Sequence, residues 1–364
     1  MRVPRMDITA LIERAAECGD PTSIGEELLA MTGAADATVD RYGSLDGGNP
    51  QKSQVFRIGI SGHAMGLTHA IVKIPAKLRS DRVQEAVSGT YARDYGGYNL
   101  LRDMQGGFQP RIFAAHYDPV TKTSALLIED LGDLPKRRQF EPKVLHDALF
   151  NLAQIHSRYW GDESLRTRWW MRDGYRADIF DEDVDQFAPN WAKLTASEVL
   201  RPSSTQTVDE VADFLAANMS EVLQELDDRP RTLTHGDLHT ANMMLRRTDD
   251  GFKPVLIDWQ DAVYSGASSD VAKFLSTTMS PEDARCHFDD LIVGYHAALR
   301  TDIRSYYSLT VFRRDVVLAL LGTFANYVIS ATTSCSSDID PKTLNHSLKR
   351  VSSVIDVLQP LREL

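Results

Sequence analysis

Two short apolar runs, Asn242 to Arg247 and Lys253 to Trp259, flank a Thr-Asp-Asp-Gly turn in the middle of a long helical stretch. They predict a β-hairpin inside an otherwise helical half, and that constrains the fold more than any other feature. Helical spacing of apolar residues runs from Pro142 to Trp160, over Thr207 to Leu226, and through nearly everything after Pro281. Immediately before the hairpin stands Leu233-Thr-His-Gly-Asp-Leu-His-Thr-Ala-Asn-Met-Met244, a polar segment between apolar runs. The hairpin's second strand then runs into Val-Leu-Ile-Asp258. The segment either serves chemistry or is a polar loop whose histidines are satisfied within the protein.

The N-terminal third has a different texture. Two helices open it, Asp7 to Glu17 and Pro21 to Gly33. The second has Pro21 near its first turn, a Ser23/Glu26 capping-box spacing and Gly33 at its end. β-branched segments follow at residues 37–43, 54–61 and 68–75, then a helix over 82–104, then strands at 110–118 and 123–131. Gly96-Gly97 inside that helix is unusual, because each glycine weakens it. The expected architecture is α+β: an antiparallel-sheet lobe over residues 1–132 and a larger, mainly helical lobe over 133–364.

Bulk properties narrow the partners. The 364-residue chain carries a formal charge of -11, which disfavours non-specific nucleic-acid binding. Cys18, Cys286 and Cys335 are widely spaced and form no CxxC pair, so a disulfide framework is not expected. The N-terminus places charges where a signal peptide needs an apolar core. The apolar run Val316 to Ala331 is 16 residues long and contains Thr323 and Asn326. It reads as a buried helix and not a membrane span. The expected setting is cytoplasmic, with no membrane or nucleic-acid partner.

Two chemistries compete for the polar segment. Phosphoryl transfer from ATP needs a carboxylate to orient the attacking hydroxyl and accept its proton, oxygen ligands for Mg2+, and a cation on the phosphates. Asp237 supplies the carboxylate. The Asp-x4-Asn spacing to Asn242 matches a kinase catalytic loop. Asn242 and Asp258 offer the hard oxygen ligands that magnesium prefers. Lys73, in the apolar strand Ala-Ile-Val-Lys-Ile-Pro, is the expected cation, because a lysine buried in such a strand needs a partner. Its carboxylate is either Asp94 or Glu85, both on the following helical stretch. The loop over 43–53 lies where a nucleotide-covering loop belongs. Backbone amides of Gly47, Gly48 and Asn49 and the Ser53 hydroxyl are its candidate phosphate donors, though it has neither a Walker A nor a GxGxxG pattern. An ordinary hairpin loop fits it too. The rival is a zinc hydrolase using His235 and His239 with a carboxylate, although no HExxH motif or second histidine cluster follows. A third reading is a catalytically silent nucleotide-binding pseudokinase.

The stretch from His235 through Asp258 to Asp270 resembles the aminoglycoside phosphotransferase and choline kinase superfamily, and is most similar to its ecdysteroid-kinase-like branch. Leu-Leu-Ile-Glu-Asp-Leu131 and Leu152 to Trp160 add to the likeness. The resemblance implies a two-lobed protein-kinase-like fold with ATP in the cleft and a small hydroxylated molecule as acceptor: an antibiotic, a sugar, an amino alcohol or a similar metabolite. It implies Asp237 as catalytic base, Asn242 and Asp258 on magnesium, and Lys73 on the α/β-phosphates. Adenine would pair with backbone groups around Glu129 to Leu131. His235 would orient the loop, and Asp270 would brace it. Asp94 stands where the family has Glu. His239 stands where the nearest branch often has Trp, which puts it on the acceptor side. The acidic run Asp178 to Phe187, five acids in ten residues, reads as a solvated surface or as the lining of an amine site. Trp169, Trp170, Tyr175 and Trp191 read as core or as an aromatic wall.

Overall fold

The computed structural model describes residues 7–45, 53–62, 66–104, 106–133, 135, 141–174, 184–197, 205–249, 251–333, 341–362 and 364. The chain forms two compact units. One comprises Met1–Leu134, Met244–Arg246 and Val255–Asp261. The other comprises Pro135–Met243, Arg247–Pro254 and Ala262–Leu364. Asp258 therefore falls in the same unit as Lys73.

The first unit opens with α1 (Ile8–Cys18) and α2 (Thr22–Met31). Asp7 caps α1 by accepting from the Thr9 N–H, and Gly19 ends it in the left-handed region at φ 66°. At α2 the expected capping box is not formed. Pro21 occupies the cap position, and the Glu26 carboxylate instead accepts from the Val39 N–H across to the first strand. Five antiparallel strands follow: β1 (Thr38–Ser44), β2 (Ser53–Ser61), β3 (His69–Pro75), β4 (Ile112–Asp118) and β5 (Thr123–Ile128). Their order in the sheet is β1-β2-β3-β5-β4.

One face of this sheet is packed by α1 and α2. Leu11, Ile12, Leu28 and Leu29 join Phe56, Ile58, Ala70, Val72, Ile74 and Leu127 in a single apolar cluster. Side chains alternate along a strand. With Ala70, Val72 and Ile74 committed to that face, Lys73 is turned to the other one.

The segment read as one helix over 82–104 is two: α3 (Arg79–Ser88) and α4 (Thr90–Leu101). Gly89 separates them at φ 77°, a conformation that costs glycine little and other residues much. The break is what separates Glu85 from Asp94.

In the second unit the helices are α5 (Pro142–Tyr159), α6 (Phe187–Ala196), α7 (Gln206–Asp227), α8 (Ala267–Thr278), α9 (Pro281–Ala298), α10 (Thr301–Tyr306), α11 (Leu309–Thr333) and α12 (Pro341–Leu358). A small sheet, β6 (Arg172–Asp173), β10 (Val263–Gly266) and β7 (Arg231–Thr234), lies among them in that order. α11 is long and apolar enough to cross a membrane by composition alone. Val316, Leu320, Leu321, Phe324, Ala325 and Val328 on it are buried, and it packs against α6, α7, α8 and α12. The expected hairpin exists as β8 (Met243–Thr248) and β9 (Gly251–Leu256). β9 ends two residues before Asp258, so that aspartate is not on a strand.

Candidate functional site

Two polar centres form, one in each unit. In the first, the Lys73 ammonium lies 2.8 Å from Asp94 Oδ2 and 2.6 Å from Asp258 Oδ1. Asp94, not Glu85, is thus its helix partner. Burial pulls the Lys73 pKa down, but Asp258 and then Asp94 outweigh it and hold the lysine protonated, raised above its ordinary range. Burial raises the Asp94 carboxyl, with Lys73 opposing and Asp258 adding to the rise.

Helix α4 fastens the segment that follows β9 at three successive residues. Tyr98 Oη accepts from the Asp258 N–H at 3.0 Å, Asp94 Oδ1 accepts from the Trp259 N–H at 3.0 Å, and Arg93 donates to the Gln260 carbonyl at 2.7 Å. This clamp holds Asp258 in the left-handed region at φ 68°, a strained setting for a residue with a side chain. Gly97 faces the same segment. A methyl group there would lie 2.6 Å from Trp259 Cβ, which accounts for a glycine in mid-helix. Asp94 therefore does two jobs, one oxygen on Lys73 and the other on the backbone beside Asp258.

In the second unit, Asp237 Oδ1 lies 2.7 Å from Lys273 Nζ, and Oδ2 lies 3.4 Å from His239 Nε2. Burial works against the charged carboxylate, but Lys273 first and His239 next hold it well below the usual carboxylate range. Asp237 is therefore ionised at any physiological pH. The Asn242 amide nitrogen donates to the Asp237 carbonyl at 2.9 Å and approaches its Oδ2 at 3.4 Å. In the first unit, Asp258 commits only Oδ1 to Lys73. Amide and carboxylate oxygens are each the kind of donor that a hard divalent cation such as magnesium accepts. The residues fit that ion.

The loop itself is fixed from below. The fully buried Asp270 accepts from the His235 N–H at 2.6 Å and the Gly236 N–H at 2.9 Å. His156 Nε2 lies 3.3 Å from the same carboxylate, and Nδ1 lies 2.6 Å from the Tyr295 hydroxyl. One tautomer satisfies both contacts: Nε2–H donates to Asp270 and Nδ1 accepts from Tyr295. Burial raises the Asp270 carboxyl, yet His156 and His235 bring it below its ordinary value. Gly236 takes φ 80° between the anchored backbone and Asp237.

The zinc pairing of the rival reading is not formed among the described residues. The His235 ring is fully buried, with Nδ1 toward the Asp237 N–H at 3.4 Å. His239 Nδ1 accepts from the Ala241 N–H at 3.1 Å and caps the short turn Thr240–Asn242. Among the described residues no three His, Cys, Asp or Glu side chains group to hold a metal. His239 thus touches Asp237 from one side as well as capping.

The remaining expectations are placed as follows. Ser53 begins β2, while residues 46–52 of the loop, with Gly47, Gly48 and Asn49, lie outside the described residues. The Glu129 N–H donates to the Arg111 carbonyl, and its carboxylate accepts from Arg246 at 2.7 Å and from the Arg111 N–H at 3.0 Å. Its N–H is thereby committed within the protein. Leu131 is half-buried two residues on. Residues 178–183 of the acidic run and Tyr175 lie outside the described residues. Trp169 is exposed, Trp170 is buried, and Trp191 packs edge-on against Phe324. Sequence reading missed Lys273, Arg246, Tyr98 and Arg93. Lys273 had one signal: it stands three residues after Asp270, on the same face of a helix.

Comparison with known proteins follows this geometry. The model of the ecdysteroid kinase-like family matches residues 98–306. That is more than half of the chain, so the chain belongs to this family. Among curated proteins none matches. Among solved structures, Plasmodium vivax ethanolamine kinase superposes with a TM-score of 0.51 at 10% identity, covering 97% of this chain and 89% of that one. Choline kinase from Cryptosporidium parvum gives 0.51 at 12%, covering 89% of each chain. A spectinomycin phosphotransferase, solved with ADP and spectinomycin, gives 0.51 at 12%, covering 94% and 99%. These likenesses show the fold: the α+β, protein-kinase-like fold expected from the sequence is the one found.

Proposed function

We propose that this member of the ecdysteroid kinase-like family transfers the γ-phosphoryl group of ATP to a hydroxyl of a small molecule. The observation that carries the reading is the Asp237 loop. Its carboxylate is held ionised and partly exposed, on a backbone that a buried Asp270 anchors through two N–H groups.

In this reading Lys73 holds the α/β-phosphates, exchanging part of its contact with Asp94 and Asp258 for phosphate oxygens. Asn242 and Asp258 hold magnesium, which supplies charge neutralisation on the phosphates when bound. Adenine pairs with backbone groups around Glu129 to Leu131, and the committed Glu129 N–H leaves carbonyl acceptors and the later N–H groups for that task. Asp237 accepts a hydrogen bond from the acceptor hydroxyl and orients it. Because its pKa is depressed, it takes the proton late, as the new P–O bond acidifies the attacking oxygen. That suits a loose transition state in which positioning matters more than basicity.

The test is magnesium-dependent release of ADP across a library of hydroxylated metabolites and antibiotics, with Asp237→Ala beside the wild type. The reading expects turnover that vanishes in the variant while its melting temperature and ADP affinity persist. ATP protection against melting with no ADP release from any acceptor would make the chain a silent nucleotide binder. Stoichiometric zinc bound through His235 and His239 in purified protein would refute the kinase reading.

A further inference from the structure

The kinase reading gives no role to Lys273. Lys273 lies on α8, one turn beyond Asp270, with its ammonium 2.7 Å from Asp237 Oδ1 and 5.8 Å from the centre of the Tyr327 ring on α11. Its side chain is 22% exposed and that of Asp237 27%. The pair is therefore open to ligands and not sealed in the core. Asp237 has two other neutral or weakly basic neighbours, Asn242 Nδ2 and His239 Nε2, both at 3.4 Å. The strongest donor in the centre is thus placed on one oxygen of the carboxylate that a hydroxyl acceptor would also seek.

A proton-accepting carboxylate touches the attacking oxygen, and the attacking oxygen touches phosphorus. A group bonded to that carboxylate is then within a side-chain swing of the phosphoryl oxygens. Lysine suits such a bridge. It has a flexible four-carbon stem and three N–H donors, so one can stay on Asp237 while others turn to phosphate.

Resting on the kinase reading, we propose that Lys273 is a second phosphoryl-binding cation, bridging Asp237 and the transferring γ-phosphoryl group. In the step, the acceptor oxygen forms its bond to the γ-phosphorus. The bond from that phosphorus to the bridging oxygen breaks, and its electron pair leaves on ADP. The hydroxyl proton passes to Asp237. Lys273 keeps its own proton and balances the charge moving past it. The two lysines then read different parts of the nucleotide: Lys73 the phosphates that ADP retains, Lys273 only the one that is transferred.

Calorimetric binding of ADP and of β,γ-imido-ATP, each with magnesium, separates them. Lys273→Met is expected to weaken imido-ATP about tenfold, the weight of one charge-assisted hydrogen bond, while ADP affinity stays within about twofold. Lys273→Arg should recover most of the loss. The Asp237→Asn/Lys273→Met pair, which removes both charges together, covers the case in which the single variant folds poorly. Its preference for imido-ATP over ADP should be reduced in the same way. A salt bridge that only supports structure predicts equal weakening of both nucleotides or of neither, and either result overturns the proposal. So does a wild-type protein that binds imido-ATP no more tightly than ADP. A wild-type protein that binds neither nucleotide refutes the kinase reading itself, and the proposal with it.

Discussion

Gly97→Ala sets helix propensity against packing. In a helix interior, alanine is favoured over glycine by about 1 kcal/mol. At this position the new methyl would lie 2.6 Å from Trp259 Cβ and 3.1 Å from its Cγ. Non-bonded carbons rest at roughly 3.5–4.0 Å, so the overlap is about 1 Å. The neighbour cannot yield cheaply. Trp259 is fully buried, its Cβ is rooted in the backbone, and that backbone is bonded to Asp94. Overpacking of this kind costs about 1–3 kcal/mol, and a clash this short belongs at or beyond the upper end. Subtracting the propensity gain leaves a net destabilisation of about 2 kcal/mol or more. The strain should also reach Asp258, the adjacent residue, already at positive φ. Denaturant unfolding followed by tryptophan fluorescence should show an earlier transition, and calorimetry should show weaker binding of magnesium-ADP. An unchanged or later transition with unchanged ADP affinity would mean that propensity wins and that α4 does not press on the Asp258 segment.

Three further substitutions probe the buried charges. Lys73→Met leaves Asp94 and Asp258 without their shared cation in a buried centre, and should cost about 3–5 kcal/mol. Adding Asp94→Asn should recover part of that stability, since the amide still accepts from the Trp259 N–H, without restoring ADP binding. No recovery in a denaturation cycle would show that charge is not what the lysine balances. Asp270→Asn should cost about 1–3 kcal/mol, because one amide oxygen cannot serve the two N–H donors and the histidine as a carboxylate does. The Asp270 carboxyl is lowered in the folded protein. Its contribution is thus fully present above the unfolded value, about pH 3.9, and is lost as pH falls through the folded value. The stability gap between wild type and Asp270→Asn should stay level from pH 8 to pH 5 and narrow below pH 4, as measured by unfolding midpoints. A gap that widens on acidification would reverse the sign of the shift.

What the sequence made legible was whatever is local in the chain. Asp237 and Asn242 share one loop, so their spacing is readable. Lys73 is readable because a charged residue in an apolar strand stands out. Its partner was not, since choosing between Glu85 and Asp94 depends on whether the helix breaks, and Gly89 permits a break without compelling it. Asp258 was read as the end of a strand because apolar residues run up to it. Only the clamp from Tyr98, Asp94 and Arg93, about 160 residues earlier in the chain, bends it into the left-handed region. Lys273 had only its place one turn after Asp270 to mark it, since its meaning depends on a loop that Asp270 holds through two N–H groups. Arg246 likewise acquires a role only through distant partners: Glu129, 117 residues away, and the Gly107 carbonyl, 139 residues away.

These non-local contacts share a physical purpose. A phosphoryl-transfer centre needs several like charges close together, and like charges in a half-buried site repel. In the first unit, one lysine between two carboxylates removes most of that cost. In the second, a lysine on the Asp237 carboxylate does the same. With their charges already balanced, both centres can fold without a ligand. In the proposed reaction, phosphates or a hydroxyl enter by exchanging partners instead of creating new charge contacts. Such an exchange suits lysine, whose flexible stem and three N–H donors let it change partners one at a time. A rigid guanidinium at Lys73 would hold both carboxylates more firmly and give up contact less readily.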